Sequence, residues 1–175
     1  MAAESEGRLV REAQRGSKDA LAELYSRHWS DAQRAAYLVV HDASASEDIA
    51  QDAFLAAVAA LDRFDRRRRL APWLHRIVVN KSIDWARREE LRRAVGEPDT
   101  ELPAPAAGSQ QVGEDLMAAL ADLPPDQRAV VVLRHLLGYT PGQIARMLDL
   151  PRGTVNSRLR RALDRLRSLL EENDR

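Results

Sequence analysis

The stretch TPGQIARMLDLPRGTVNSRLRRALDRLR, residues 140–167, contains two short helical patterns separated by a tight break. The first pattern begins at Thr140, which suits an N-cap, with Pro141 at the first helical position and Gln143 placed for a capping box. After the break at 149–151, the second pattern carries apolar residues at helical spacing: Val155, Leu159, Ala162, Leu163, Leu166 and Leu170. Helices this short bury their apolar faces by crossing a third helix, which predicts a helix-turn-helix unit.

The third helix is available in PPDQRAVVVLRHLLG, residues 124–138, which begins with prolines and ends at Gly138. In such a unit the second helix presents the N-terminal part of its free face to the major groove of DNA. Asn and Arg side chains make paired hydrogen bonds to base edges there. An amphipathic surface helix is the alternative for the arginine-rich segment alone. Its context favours a recognition helix with four polar residues on the free face: Asn156, Ser157, Arg160 and Arg161.

The composition favours an all-α protein. Aromatic residues make up 5% of the 175 residues, and there is little strand signal. A chain of this length suits one or two small domains. The absence of Cys excludes disulfides and thiolate metal sites and fits a reducing cytoplasm. Because there is no long apolar run and no signal-peptide pattern, we expect a cytoplasmic protein that does not insert into a membrane.

The zero formal net charge conceals a strong segregation of charge along the chain. Residues 62–93 carry a net charge of +6 and residues 128–170 carry +7, whereas residues 94–127 between them carry −7. Each basic block fits the phosphate backbone of nucleic acid, and the acidic block does not. Residues 94–112 are also rich in Pro, Ala and Gly, which predicts a flexible linker between small helical domains at 1–93 and 113–175.

The N-terminal half shows helical patterns over residues 4–15 and from Ser17 onward, followed by the pattern SEDIAQDAFLAAVAALDRF. Ser44 and Glu47 are interpreted as a capping box for this third helix. Its predicted core face consists of Ile49, Phe54, Leu55, Val58 and Leu61. Its first turns are crowded with Glu47, Asp48, Gln51 and Asp52. Complementing the helix dipole is the structural explanation of these acidic residues, and a protein-docking face is the functional alternative.

The segment DRRRRLAPW and the helix after it form the first basic block. The four arginines are expected in an exposed loop, and Pro72 is expected to begin the helix. The pattern places Trp73, Leu74, Ile77, Val78 and Trp85 inward. Along one edge lie Arg76, Asn80 and Arg87. Basic residues mixed with aromatic ones are typical of a single-stranded nucleic-acid surface, and a solvated helix with two core tryptophans is the alternative.

In this order, the segments resemble the extracytoplasmic-function (ECF) group of bacterial RNA polymerase sigma factors. SEDIAQDAFLAAVAALDRF is similar to the polymerase-binding helix of the group, and APWLHRIVVNKSIDWARR to its −10-reading helix. LPPDQRAVVVLRHLLGYTPGQIARMLDLPRGTVNSRLRRAL is similar to its −35-reading domain. The resemblance covers residues 5–170, with a linker where larger sigma factors insert another domain. The chain departs from the usual pattern at Val58, Gln143, Asp149 and Asn156.

The resemblance implies a role for each matching residue. Docking on the clamp helices of the largest polymerase subunit is implied for Asp48, Gln51, Asp52 and Phe54. A flipped base of the −10 element is implied to contact Ala60, Phe64, Ile77 and Asn80. Further −10 DNA contacts are expected from the basic residues Arg66, Arg67, Arg68, Arg69, Arg76 and Arg87. Contacts with the −35 duplex are implied for Arg152, Thr154, Asn156, Ser157, Arg158, Arg160 and Arg161.

The partners implied by the resemblance are core RNA polymerase, promoter DNA and an anti-sigma factor. The sequence contains no phosphate-binding Gly loop, nucleophile motif or metal-ligand spacing, so we expect no catalytic residue, cofactor or metal ion. Two other classes of protein stay open. A stand-alone helix-turn-helix repressor or activator leaves the acidic helix and the first basic block unexplained. A helical adaptor leaves both arginine clusters unexplained.

Overall fold

The computed structural model describes residues 2–95 and 111–173, and within these ranges the chain forms eight α-helices and no strand. The N-terminal half contains α1 (Ala2–Gln14), α2 (Lys18–Val40), α3 (Ala43–Ala60), a 3-10 turn (Leu61–Arg63) and α4 (Leu70–Ala94). The C-terminal half contains α5 (Gln111–Ala121), α6 (Pro125–Val131), a π-helical turn (Val132–Leu136), α7 (Pro141–Leu148) and α8 (Arg152–Asn173). The all-α fold is confirmed. Residues 96–110 of the predicted linker lie outside the described residues, so the domain boundaries stay a prediction.

The helix-turn-helix unit is built as its local sequence predicts. Thr140 accepts a hydrogen bond from the backbone of Gln143, whose side chain accepts one from the backbone N–H of Thr140 at 2.8 Å, which completes the capping box. Asp149 ends α7 in the left-handed conformation, with φ of 53°. A short Asp side chain tolerates this conformation better than most residues do, so the turn before α8 forms without glycine. Along α8 the predicted apolar stripe is buried or partly buried except at Leu163, which is exposed.

The beginning of α3 differs from the prediction. The N-cap is Asp42, whose carboxylate accepts a hydrogen bond from the Ala45 N–H at 2.7 Å, and the predicted capping box of Ser44 and Glu47 is wrong. Because the helix begins at Ala43, its first turn contains no acidic residue. The dipole effect falls off within the first turn, so it does not explain the carboxylates that follow.

The predicted core face of α3 was wrong at Leu55 and Val58, which are 64% and 48% exposed. Small residues form the real core face, and they pack against small residues of α2 in one buried cluster. The alanines of this cluster are Ala32, Ala35, Ala36, Ala45, Ala50, Ala53 and Ala57. Two helices that meet through alanines approach closely, which leaves the larger side chains of α3 on its outer face.

The helix α4 begins at Leu70, two residues before Pro72, where its predicted start lay. Pro is tolerated in a first helical turn because its missing N–H has no partner within the helix there. Leu74 and Val78 are buried as predicted. The other three residues predicted to point inward are partly buried: Trp73, Ile77 and Trp85.

The two halves of the chain pack against each other. Leu38, Val39, Val79 and Ile83 of α2 and α4 belong to the same buried cluster as the core of the C-terminal half. The guanidinium of Arg128 in α6 donates hydrogen bonds to the backbone carbonyls of Val39, Ala121 and Leu123. It therefore joins the C-terminal ends of α2 and α5. Burial lowers the pKa of Arg128 to about 10, so it stays charged near neutral pH.

The half-buried His41 is expected to make the stability of this fold depend on pH. His41 ends α2 with φ of 56°, and its Nε2 is buried without a hydrogen-bond partner among the described residues. Burial, reinforced by the charge of Arg128, lowers the pKa of His41 to about 4. The unfolded chain therefore binds a proton near pH 6.5 that the folded chain binds only near pH 4. The contribution of neutral His41 to the free energy of unfolding is therefore complete above pH 6.5 and is lost as the pH falls toward 4.

We expect His41 to account for a decrease of about 2–3 kcal/mol in the free energy of unfolding between pH about 7.5 and pH about 4.5. Urea unfolding at the two pH values measures this decrease. The variant His41→Asn keeps a side chain that tolerates the left-handed conformation but cannot take up the proton. Its free energy of unfolding should decrease less over the same range. Burial lowers the pKa of His75 as well, so a weaker pH dependence should remain. Equal pH dependence in the two proteins would contradict the assignment to His41.

Within residues 2–95 and 111–173, no helix is long and apolar enough to cross a membrane. In the same part of the chain, no group of three or more His, Asp or Glu side chains is placed to hold a metal ion.

Candidate nucleic-acid interface

The start of α8 presents polar side chains to solvent, as the helix-turn-helix prediction requires. Arg152, Asn156, Arg160 and Arg161 are exposed, and Thr154 and Ser157 are partly exposed. The Ser157 hydroxyl donates to the Thr154 carbonyl at 3.0 Å, and Arg161 Nε donates to the Ser157 carbonyl at 3.3 Å. These bonds tie Ser157 and Arg161 to the preceding turn of the helix, on a surface whose Asn and Arg side chains are of the types that hydrogen-bond bases and phosphates.

Arg158 is placed differently from the other predicted −35 residues. Its Nη2 lies 3.7 Å from Oδ2 of Asp126 in α6, and its side chain is 20% exposed. Asp126 Oδ1 also accepts a hydrogen bond from Nη2 of Arg87 in α4 at 2.6 Å. One carboxylate thus joins an arginine of the predicted −10 surface to an arginine of the predicted −35 surface.

The predicted −10 edge of α4 is partly covered by the C-terminal half. Asn80 and Arg87 line a cavity of about 100 Å³ together with Leu148, Leu150 and Arg158 of the C-terminal half. The Asn80 amide donates to the Met147 carbonyl at 3.4 Å. Ile77 is partly buried against the core, whereas Arg76 is exposed. Arg76 is therefore open to solvent, whereas Asn80 and Arg87 lie beside the C-terminal half.

Phe64 lies in another part of the N-terminal half. Its ring is buried with residues of α1 and packs on Trp73, with the ring centroids 4.7 Å apart. The Gln14 amide donates to the carbonyls of Leu61 and Phe64 at 2.9 and 3.0 Å, which fixes α1 over the 3-10 turn. Phe64 therefore packs beneath α1, whereas Asn80 lines the cavity with Arg87. The two residues, which were predicted to contact one flipped base, thus have different surroundings. Ala60 is partly exposed at the end of α3.

The arginine loop before α4 is exposed along its whole length, as predicted. The exposed residues are Arg66, Arg67, Arg68 and Arg69. Asp65 holds the start of the loop by accepting a hydrogen bond from the Arg67 N–H at 3.0 Å. Glu6 of α1 holds its end by accepting one from the Leu70 N–H at 3.2 Å. A loop anchored at both ends presents a fixed cluster of positive charge to a phosphate backbone.

The outer face of α3 combines carboxylates with apolar side chains. Asp48, Gln51 and Asp52 are exposed on the same side of the helix as Leu55 and Val58. Phe54, also predicted to bind polymerase, is buried, with its ring centroid 4.8 Å from that of Tyr25.

On one side of this face lies a groove of about 330 Å³, bordered by Tyr25, Leu55, Val58 and Trp73. On the other side lies a polar cleft of about 470 Å³, between Asp48 and Asp52 on α3 and Lys81 and Arg88 on α4. Leu55 and Val58 were predicted on the core face of α3, so their position at the surface was not expected. A helical wheel of α3 centred on its alanines would have placed Leu55 and Val58 outside.

Comparisons with known proteins match the same two halves. The family profile described as Sigma-70 region 2 matches residues 24–92, and the profile described as Sigma-70, region 4 matches residues 113–166. The chain is 35% identical over 155 residues to the ECF RNA polymerase sigma factor SigM of Mycobacterium tuberculosis, which covers 89% of this chain and 79% of that protein. It is 28% identical over 178 residues to the ECF RNA polymerase sigma factor SigW of Bacillus subtilis, which covers 93% of this chain and 95% of that protein.

Two solved structures share the fold over most of the chain. CnrH, in complex with the cytosolic domain of CnrY, has a TM-score of 0.69 at 29% identity and covers 95% of this chain and 97% of that one. The sigma factor RpoE of Bartonella quintana, in complex with the anti-sigma factor NepR, has a TM-score of 0.70 at 26% identity. The match covers 89% of this chain and 98% of that one. Because both sigma profiles match in the order of the two helical halves, and SigM shares more than a third of its aligned residues, the chain belongs to the ECF group of RNA polymerase sigma factors.

Proposed function

We propose that this sigma factor binds core RNA polymerase through the outer face of α3, reads the melted −10 element with α4 and the arginine loop, and reads the −35 duplex with the start of α8. One observation carries the proposal: the chain combines an exposed acidic and apolar helix face with a helix-turn-helix unit that begins its second helix with exposed polar residues. The chain supplies promoter specificity and the polymerase supplies catalysis, so we assign it no enzymatic activity. We place its action in the cytoplasm, with the polymerase and the DNA.

The chemistry of the α3 face suits a protein partner. Leu55 and Val58 offer apolar area that is stabilised when water is excluded, and the flanking Asp48 and Asp52 select a partner with basic side chains. Carboxylates at this place would repel DNA, which supports a division of labour between α3 and the two basic surfaces.

The chemistry of the α8 face suits a DNA duplex. A rigid helix with Asn156, Arg160 and Arg161 exposed can hydrogen-bond base edges in the major groove, where a bidentate contact discriminates by about 1–3 kcal/mol. The α4 edge suits melted DNA, because an amide beside partly buried apolar side chains fits an unstacked base. For the −10 role, the C-terminal half must move away from Asn80.

An anti-sigma factor is a proposed partner, supported by the similarity to the RpoE structure that contains the anti-sigma factor NepR. A stand-alone helix-turn-helix regulator is the second candidate function. It is disfavoured because it gives no role to the outer face of α3 or to the region 2 match over residues 24–92.

Transcription from purified components tests the function. Core polymerase, with and without this chain, is incubated with linear templates that carry randomised sequence upstream of a common reporter segment, and the transcripts are sequenced. We expect transcripts that depend on the chain and share a −35 and a −10 sequence. A chain that binds duplex DNA but neither binds core polymerase nor starts transcripts would instead support the stand-alone regulator.

The two DNA surfaces should fail in different ways when mutated. Asn80→Ala should impair opening of the −10 element and leave −35 recognition intact, because it removes a contact made to melted DNA. Arg161→Ala should weaken duplex binding by about tenfold, since it removes a major-groove contact. Both variants are measured on a selected promoter, as a duplex and with the −10 element premelted.

Arg161→Ala should matter less on the premelted template, because binding to open DNA relies less on the −35 contact. Arg165→Ala serves as the matched control, since Arg165 is exposed on the same helix but lies beyond its start. Equal losses by Asn80→Ala and Arg161→Ala on both templates would overturn the proposed division of labour.

A further inference from the structure

The arginine loop before α4 is held by side chains of α1, a helix to which the proposed function gives no role. Glu6 is the centre of this contact. Its Oε1 lies 3.0 Å from Nε2 of His28 in α2, and its Oε2 accepts a hydrogen bond from the Leu70 N–H at 3.2 Å. The Glu6 side chain is 22% exposed and that of His28 is 10% exposed. One carboxylate thus joins α1, α2 and the first residue of α4.

The bond to Leu70 supplies a cap that the local sequence of α4 lacks. The N–H groups of a first helical turn have no partner within the helix, and a short polar side chain just before the helix is the preferred acceptor. In α4 this position is Arg69, whose side chain makes no capping bond. The Glu6 carboxylate takes this role from another helix, and its charge complements the positive end of the α4 dipole.

The same helix also holds the other end of the loop. Gln14, the last residue of α1, donates to the carbonyls of Leu61 and Phe64. Between the two anchors, a Cβ at Gly7 would lie 3.7 Å from the Arg66 carbonyl oxygen, so the backbone of α1 runs alongside the loop. The exposed arginine side chains therefore extend from a backbone that α1 fixes on both sides.

We propose that Glu6 is a positioning residue for −10 recognition: its carboxylate, oriented by His28, caps α4 and thereby sets the arginine loop against the phosphates of the melted strand. The inference rests on the proposed function, because it takes the loop as a DNA contact. A loop that is fixed before binding loses less conformational freedom when it meets DNA. The carboxylate itself repels phosphate, so its contribution acts through the loop and not through a DNA contact of its own.

Replacing Glu6 by Ala should weaken binding to melted DNA, although loss of a negative charge alone would strengthen it. Without the cap, the loop is ordered in a smaller fraction of molecules, and the apparent affinity falls by that fraction. We expect a loss of about three- to tenfold for core polymerase saturated with the chain, on a selected promoter with a premelted −10 element. Glu6→Gln keeps an oxygen that accepts from the Leu70 N–H and should retain most of the affinity. Glu12→Ala is the matched control, because it makes the same charge change on α1 at a carboxylate that pairs with Arg8.

A loop variant separates positioning from a general folding effect. This variant carries Arg66→Gln, Arg67→Gln, Arg68→Gln and Arg69→Gln. Adding Glu6→Ala to it should cause no further loss of affinity, because Glu6 acts through these arginines. Hydrogen exchange in the full chain, without polymerase or DNA, measures the cap directly. Exchange of the Leu70 amide should be about five- to tenfold faster in Glu6→Ala and unchanged in Glu12→Ala.

Four results would each overturn the inference. They are an affinity of Glu6→Ala equal to that of Glu12→Ala, a loss in Glu6→Gln as large as in Glu6→Ala, an undiminished effect of Glu6→Ala in the loop variant, and unchanged exchange at Leu70. Failure of the proposed function is seen separately, as absence of transcription from the randomised templates, and leaves the exchange measurement unaffected.

Discussion

Replacing Asp48 and Asp52 together with Arg should reduce the affinity for core RNA polymerase by at least about a hundredfold, because the proposed docking of α3 sets these two positions against basic side chains of the polymerase. The two carboxylates are exposed on the outer face of α3, and no helix-dipole role explains them once α3 begins at Ala43. Their replacement should leave the fold intact, since both side chains are exposed and lie outside the buried cluster of α2, α3 and α4. A titration of labelled chain with core polymerase measures the loss.

The matched control for this variant is Asp164→Arg with Glu171→Arg. It changes the net charge equally at two exposed positions of α8 that lie outside the proposed polymerase and DNA surfaces. We expect the control to bind core polymerase within about threefold of the unmodified chain, as surface charges away from an interface act weakly in physiological salt. The α3 assignment would be refuted if both double variants lost affinity to the same extent while keeping the same melting temperature.

Local features of the chain were predictable because their causes are local. The capping box at Thr140, the break that begins at Asp149 and the start of α2 at Ser17 each depend on residues within one helical turn, and the structure confirms all three. The beginning of α3 was predicted wrongly because Asp42 and Ser44 are both short polar residues of the kind preferred at an N-cap. With α2 ending at His41 in a left-handed turn, the chain is placed so that Asp42 becomes the N-cap.

The outer face of α3 was missed for a different physical reason. Large apolar residues were placed inside by default, but the close approach of α2 and α3 through alanines leaves no room for Leu55 and Val58 between them. Which face of an alanine-rich helix is buried depends on its neighbour. The contacts between the two halves were also beyond prediction, since they join residues far apart in sequence, such as Arg128 and Val39.

Loss of Arg128 should destabilise the fold strongly, because its side chain bonds both halves of the chain. Its guanidinium is buried and donates to three backbone carbonyls, which belong to the C-terminal end of α2, the C-terminal end of α5 and the turn after α5. The last carbonyls of a helix have no partner within the helix, and a cation at this end also complements the helix dipole. One side chain thus satisfies the ends of two helices, one from each half.

We therefore expect Arg128→Met to lower the free energy of unfolding by about 3 kcal/mol in urea denaturation, since it keeps most of the apolar stem but leaves buried carbonyls without donors. Arg128→Lys should recover part of this loss, because an ammonium keeps the charge but lacks the planar fork that reaches three acceptors. Arg146→Met, at an exposed position of α7, provides the control and should change stability by less than about 0.5 kcal/mol. Hydrogen exchange should also rise at the ends of both α2 and α5 in Arg128→Met, because the same guanidinium holds them. A loss below about 1 kcal/mol, or faster exchange in α5 alone, would show that Arg128 does not join the two halves.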